Sequence, residues 1–209
     1  MISKKPFILV MIAVIVSFIG FCVENIFISF SSGFMDNRNM ILPFLFGYGL
    51  SMLLYYFLFG TPNSPLLFGR RIAFKSSTVS NIYSFFMAFI GICIGEIILG
   101  YAIELTCDII WWDYTTIPLH ITRYTSVPTS MGFAFLLTLF MKYCFDPLYN
   151  AFSKMNTTAL IVISVCFALV LSADMLNSAI YMYQNHNTQI LWRLDFNKPM
   201  IQHIIKTKN

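Results

Sequence analysis

The sequence predicts an all-α protein, a polytopic transmembrane helix bundle of about five spans. Composition supports this first, because 58% of the residues are hydrophobic and only 11% are charged. Mean hydropathy is high as well, at +0.74. A soluble domain carries about a quarter charged residues, so these charges cannot cover a water-exposed surface. Apolar runs of spanning length argue against the alternative, a soluble protein with an unusually rich core.

Five segments are long and apolar enough to cross a hydrocarbon core, which needs about 20 helical residues. They cover residues 7–30, 41–60, 79–106, 127–150 and 158–184. We expect one transmembrane domain over residues 1–184, with Pro147 ending or kinking its fourth span. The remaining residues, 185–209, form a short tail that is expected to lie at the membrane interface, with Trp192 at headgroup depth.

Basic residues in the loops predict a multi-pass membrane protein whose N-terminus faces the cytoplasm. Cytoplasmic loops are enriched in Lys and Arg. The loops on the N-terminal side hold six such residues, namely Lys4, Lys5, Arg70, Arg71, Lys75 and Lys154. The two loops on the opposite side hold Arg38 and Arg123. The tail opposes this contrast, because four basic residues would then lie outside: Arg193, Lys198, Lys206 and Lys208.

Several function classes lack support in the sequence. The net charge of +4 is scattered, so nucleic acid is not an expected partner. The chain has no G-x-x-x-x-G-K-[ST] motif, which excludes nucleotide hydrolysis by a P-loop on this polypeptide. The five cysteines form no C-x-x-C pair and no zinc spacing is present, so we expect neither a metal nor a cofactor. The sequence has no Ser-His-Asp order and no H-E-x-x-H motif that would support hydrolysis.

The third predicted span carries the residues that are hardest to explain by packing alone. Glu96, Gly100 and Glu104 are spaced four apart and share one helix face, with the carboxylates about 12 Å apart along the axis. A charge at mid-bilayer costs at least about 2.5–3.5 kcal/mol, so a lipid-facing Glu is disfavoured. The carboxylates therefore line a polar substrate or ion pathway, or they bond between helices and only staple the bundle. Gly95 and Gly100 provide a smooth surface for helix packing.

Two further carboxylates could share one polar site with Glu96. Glu24 lies in the outward half of the first span, and Asp174 lies nearer the middle of the fifth. The loop before the fourth span holds Trp112-Asp113-Tyr114 and Arg123. Its aromatic residues match an ordinary interfacial belt, whereas the adjacent charges exceed what anchoring requires.

These motifs together resemble those of the putative ABC-transporter type IV family, the CmpB-like permeases of bacteria. The resemblance rests on Glu96-x3-Gly100-x3-Glu104, Trp112-Asp113-Tyr114, Gly20-x3-Glu24 and Asn37-Arg38. It implies a bacterial inner-membrane protein with a permease role, and an outer-side motif that consists of Asn37, Arg38, Trp112, Asp113 and Tyr114, with Arg123 nearby. The chain departs from the family where it has Asn39 in place of a glycine.

Three functions remain open from the sequence. The first is a permease component of a transporter in the lipid bilayer, coupled to a separate ATPase subunit. The second is a membrane-embedded enzyme on a lipid-like substrate, with Glu96 or Glu24 as general base and Arg38 and Arg123 binding an anionic headgroup. The third is a non-catalytic membrane partner whose polar residues specify helix packing.

Overall fold

Long apolar helices dominate residues 3–196, the part of the chain that the computed structural model describes. Six α-helices follow one another, the fourth and fifth joined by a short π-helix at Phe140–Cys144: α1 (Lys5–Ser31), α2 (Phe46–Phe59), α3 (Ser77–Cys107), α4 (Val127–Leu139), α5 (Phe145–Ser153) and α6 (Thr157–Asn185). Four helical stretches are long and apolar enough to cross a membrane, namely Lys5–Ser31, Ser77–Cys107, Val127–Ser153 and Thr157–Asn185. The predicted all-α, membrane-spanning fold class is therefore confirmed.

The second segment is a shorter helix than the run 41–60 suggests, because α2 begins only at Phe46. Pro43 disfavours helical geometry at Leu42. The backbone N–H groups of Ile41 and Leu42 both donate to the Asp174 carboxylate, each at 2.9 Å. With these groups bonded outside the helix, α2 has 14 residues and is too short to span a membrane unaided.

Pro147 changes the fourth span without ending it. A proline inside a helix donates no backbone hydrogen bond, and its ring clashes with the carbonyl four residues earlier. That carbonyl belongs to Tyr143, which lies within the π-helix Phe140–Cys144. The wider π turn absorbs the misfit, and the helix then continues as α5 to Ser153.

The two ends of the bundle are built differently, and we name them the basic end and the loop end. The basic end holds the start of α1 and the turn before α6, and the loop end holds the loops after α1 and α3. At the basic end, Lys4 Nζ donates to the carbonyls of Ser153 and Met155 at 3.2 and 2.7 Å, so the start of α1 contacts the turn before α6. The same end holds a small antiparallel sheet of three strands, which are β2 (Gly60–Thr61), β3 (Ser64–Leu67) and β4 (Arg70–Arg71).

At the opposite, loop end, two further strand pairs form. These pairs join β1 (Phe34–Asp36) to β7 (Arg193–Asp195), and β5 (His120–Thr122) to β6 (Thr125–Ser126). The β1–β7 pair attaches the start of the predicted tail to the loop between α1 and α2. Lys198, Lys206 and Lys208 lie outside the described residues.

The core lies where α1 packs against α2, α5 and the half of α6 that is nearest the basic end. Ile12 and Met52 are almost fully buried there, as are Met141 and Leu160. A Cβ on Gly49 would lie 2.4 Å from the Ala13 carbonyl oxygen, so only glycine allows α2 to approach α1 this closely. This close packing fixes the position of Tyr48, which precedes Gly49 in α2.

Candidate functional site

The first polar cluster joins α1 to α2 through Glu24. The Tyr48 hydroxyl donates to Glu24 Oε1 at 2.5 Å. Arg38 Nη2 lies 3.8 Å from Glu24 Oε2. One turn earlier on α1, Gly20 leaves room for the Tyr48 ring, since a Cβ there would lie 2.5 Å from Tyr48 Cγ. The spacing Gly20-x3-Glu24 thus has a physical reason: the glycine accommodates a tyrosine ring whose hydroxyl reaches the carboxylate.

The same arrangement recurs on α3. Gly100 faces the ring of Tyr124, and a Cβ at Gly100 would lie 2.2 Å from Tyr124 Cγ. The Tyr124 hydroxyl donates to Glu104 Oε2 at 2.8 Å, and Arg123 Nη1 donates to Glu104 Oε1 at 3.2 Å. Glu104 therefore has a phenol and a guanidinium as partners, as Glu24 does.

Glu96 is held differently from the other two glutamates. Its Oε2 lies 2.6 Å from Thr125 Oγ1 and 2.8 Å from Ser130 Oγ. Among residues 3–196, Glu96 forms no ion pair with Lys, Arg or His. Glu96 lies about 16 Å from the end of α3, and Glu24 about 10 Å from the end of α1. Glu96 is thus the deeper of the two and has no basic partner.

Glu96 Oε2, Thr125 Oγ1 and Ser130 Oγ form a closed triangle of contacts. Thr125 Oγ1 and Ser130 Oγ also lie within hydrogen-bond distance of each other, at 2.9 Å. Each hydroxyl supplies one proton, so two hydroxyls supply two protons for three contacts. In the structure both of these protons are directed at Glu96 Oε2. Among the described residues, Glu96 is therefore bound by neutral hydroxyl groups and by no cation.

Tyr114 links the surroundings of Glu24 and Glu96. Its backbone N–H donates to the Arg123 carbonyl at 2.7 Å, which joins the two sides of the loop between α3 and α4. Burial raises the pKa of the Tyr114 phenol, the nearby Glu24 and Glu96 carboxylates raise it further, and Arg38 lowers it. The phenol remains protonated at neutral pH and lies near charged groups of α1, α3 and the loop between α1 and α2.

Arg38 lies in a tight turn at the loop end. Met40 N donates to the Asn37 carbonyl at 2.9 Å, and the two residues between them, Arg38 and Asn39, have φ of 50° and 63°. Such a turn favours Gly or Asn, so Asn39 fits its position in the turn. The Arg38 guanidinium faces Asp36 at 3.4 Å as well as Glu24, while its buried Nε has no partner among the described residues.

Asn37 and Asp174 bond to backbone groups of the loops. The Asn37 amide donates to the Met40 and Gln189 carbonyls, and its oxygen accepts from Leu191 N at 3.0 Å. Both Asp174 oxygens accept from the loop between α1 and α2, as described above. These two residues connect that loop to α6 and the segment after it, away from the Glu96 triangle.

The remaining predicted residues lie around the second loop and along α3. Trp112 Nε1 donates to the Tyr124 carbonyl at 2.9 Å. Asp113 is exposed, and its pKa is lowered because it accepts from Thr115. Gly95 has no atom within 4 Å of the position of a Cβ, so in this chain it contacts no neighbouring helix.

The polar site thus includes partners that the sequence reading did not select. These are Tyr48, Tyr124, Thr125 and Ser130. The repeated Gly-x3-Glu spacing and the hydroxyl residues at the start of α4 were the available signals. We name Glu24, Arg38, Tyr48, Glu96, Tyr114, Thr125 and Ser130 the carboxylate site.

Within residues 3–196, no group of three or more His, Cys, Asp or Glu side chains is placed to hold a metal ion.

Comparisons with known proteins identify a family. No curated protein and no solved structure matches the chain. The model of the family described as "Putative ABC-transporter type IV" matches residues 11–179, which include every member of the carboxylate site. The chain therefore belongs to the putative ABC-transporter type IV family.

Proposed function

We propose that this protein is a membrane permease component in which Glu96 carries protons through the carboxylate site. One observation supports the proposal above all others: Glu96 lies within a spanning helix, bound by two hydroxyls and by no cation among the described residues. Intramembrane carboxylates with such surroundings mark proton relays and ion pathways. A permease role also agrees with the name of the family.

Charge at the site favours a proton or another cation as the transported species. Glu24 and Asp36 share the single guanidinium of Arg38, while Glu96 adds a further acidic group. An anion would meet net negative charge here, and a cation would meet attraction. The buried Tyr114 phenol lies close enough to Glu24 and Glu96 for both carboxylates to raise its pKa.

Substitution of Glu96 by Gln tests the proposal directly. Gln has nearly the same volume and still accepts from Thr125 and Ser130, but it cannot exchange a proton. In proteoliposomes loaded with a pH-sensitive dye, we expect proton flux to fall by about a hundredfold, the lower range for losing a proton-transferring group.

Glu104→Gln is the matched control, since it is the same change two turns along the same helix. Glu104 is bound to Arg123 and Tyr124, so we expect flux within about twofold of the parent. Parent-level flux in Glu96→Gln, with unchanged unfolding temperature, would leave Glu96 a structural residue and contradict the proposal.

We further propose that a separate ATPase subunit drives this permease, because the chain has no P-loop. Affinity purification of the full chain from its native membrane should recover an ATPase in constant ratio. Recovery of none, with proton flux retained in liposomes, would indicate a carrier that works alone.

The enzyme alternative has one favourable observation, the unpartnered buried Nε of Arg38, which could bind an anionic headgroup. Of its two candidate bases, Glu96 and Glu24, the second is the less suitable. Glu24 is bound to Tyr48 and faces Arg38, so both of its carboxylate oxygens already have partners within the chain.

A further inference from the structure

The basic end of the bundle contains a pocket that the carboxylate site does not involve. It has a volume of about 380 Å³ and opens between the start of α1, the end of α2, the small sheet and α5. Two cations line it, Lys5 on α1 and Arg71 on β4. We name it the basic pocket.

Neither cation in the basic pocket is neutralised by the described part of the chain. Lys5 and Arg71 form no ion pair within residues 3–196. Lys5 Nζ instead lies 5.9 Å from the centre of the Tyr56 ring. One carboxylate, Asp146, also lines the pocket, and its Oδ2 accepts from Asn63 at 3.0 Å. These charges sum to +1, which suits a ligand with one negative charge.

The surroundings place the pocket at the membrane boundary. Its aromatic walls, Tyr56 and Tyr149, come from the ends of apolar helices, where tyrosines commonly meet the headgroup region. The adjacent β3–β4 turn exposes Leu67 and Phe68, with 42% and 71% of their surface accessible. Apolar side chains beside basic ones are typical of a segment that dips into a bilayer surface.

We propose that the basic pocket binds the phosphate of an anionic phospholipid. A phosphodiester carries one negative charge and accepts from both an ammonium and a guanidinium. Basic pockets between spanning helices are known to suit anionic headgroups. This inference does not depend on the proton-carrying role of Glu96.

The test is native mass spectrometry of the detergent-purified full chain, titrated with phosphatidylglycerol or phosphatidylcholine. We expect the parent to bind phosphatidylglycerol more tightly. Lys5→Gln and Arg71→Gln should each weaken that binding by about tenfold, the effect of one charge-assisted hydrogen bond. Asp146→Asn, which can still accept from Asn63, should strengthen it by removing a repulsive charge.

Arg70→Gln is the matched control, because Arg70 is the neighbouring cation on β4 and does not line the pocket. An equal loss of phosphatidylglycerol binding in Arg70→Gln and Arg71→Gln would show that only the general surface charge matters, and it would overturn the proposal. So would equal affinity of the parent for the two lipids. Arg71 also lines an adjacent cavity of about 490 Å³, so Lys5→Gln is the decisive variant.

Competition with inorganic phosphate distinguishes the source of the phosphate. Displacement of phosphatidylglycerol at millimolar phosphate, dependent on Lys5, supports a site that recognises the phosphate group alone. Retention of the lipid under the same conditions supports recognition of the headgroup together with its acyl chains.

Discussion

At the scale of single residues, the three glutamates in the helices differ in what neutralises them. Glu24 and Glu104 each meet a tyrosine hydroxyl and an arginine, whereas Glu96 meets two small hydroxyls. The arginine partner compensates the charge of Glu24 and of Glu104 and constrains each carboxylate. Glu96 lacks this constraint, which is why the proton-carrying role is assigned to it and withheld from its neighbours.

We predict that Tyr48→Phe destabilises the protein by about 2 kcal/mol, because it removes a donor from a half-buried carboxylate. The measurement is denaturant unfolding in detergent micelles. Tyr101→Phe serves as the control, since the Tyr101 side chain is exposed and no hydrogen bond is formed by its hydroxyl among the described residues. An equal effect in both variants would mean that the Tyr48–Glu24 bond contributes nothing specific.

At the scale of elements, α3 combines a packed face and an open face. Gly100 lies on the face that meets Tyr124, and Gly95 lies where a Cβ would meet no other atom. Both glycines lie in the same helix, but their surroundings in the fold differ. This difference yields a paired experiment on one helix.

We predict that Gly100→Ala destabilises the protein by about 1–3 kcal/mol, because the new methyl group overlaps the Tyr124 ring. Gly95→Ala should instead stabilise it by up to about 1 kcal/mol through higher helix propensity. Thermal unfolding of both variants in the same detergent checks the signs. Destabilisation by Gly95→Ala would indicate that a second molecule packs on that face.

The sequence was sufficient to place Glu96, Gly100 and Glu104 on one face, because helical periodicity is a local property. The partners of that face were not predictable in the same way. Tyr124 and Thr125 reach it only through the folded loop after α3, and no periodicity encodes such a contact. The late start of α2 was missed for a similar reason, since it depends on Asp174, far along the chain.

At the scale of the whole molecule, the two ends have different chemistry. The basic end holds the N-terminus of α1 and the β2–β4 sheet, and the loop end holds the carboxylate site and the pair β1–β7. The helices alternate in direction between these ends, so the start of α1 and the end of α6 lie on opposite sides of the bundle.

We predict that the basic end faces the cytoplasm, because Lys and Arg accumulate there. The full chain with a fluorescent protein at its N-terminus should be bright. With alkaline phosphatase at its C-terminus it should be enzymatically active, since that enzyme matures only outside the cytoplasm. An inactive phosphatase fusion together with a bright C-terminal fluorescent fusion would contradict this orientation.

The pairing of β1 with β7 also has a consequence for biosynthesis. Phe34 pairs with Asp195, so this strand pair cannot close until almost the whole chain has left the ribosome. At roughly 5–20 residues per second, the first loop waits about 10–30 s for its partner. During that interval Asp36 and Asn37 lack the backbone groups that later cover them, and a chaperone or insertion factor would meet the loop end in its unfinished state.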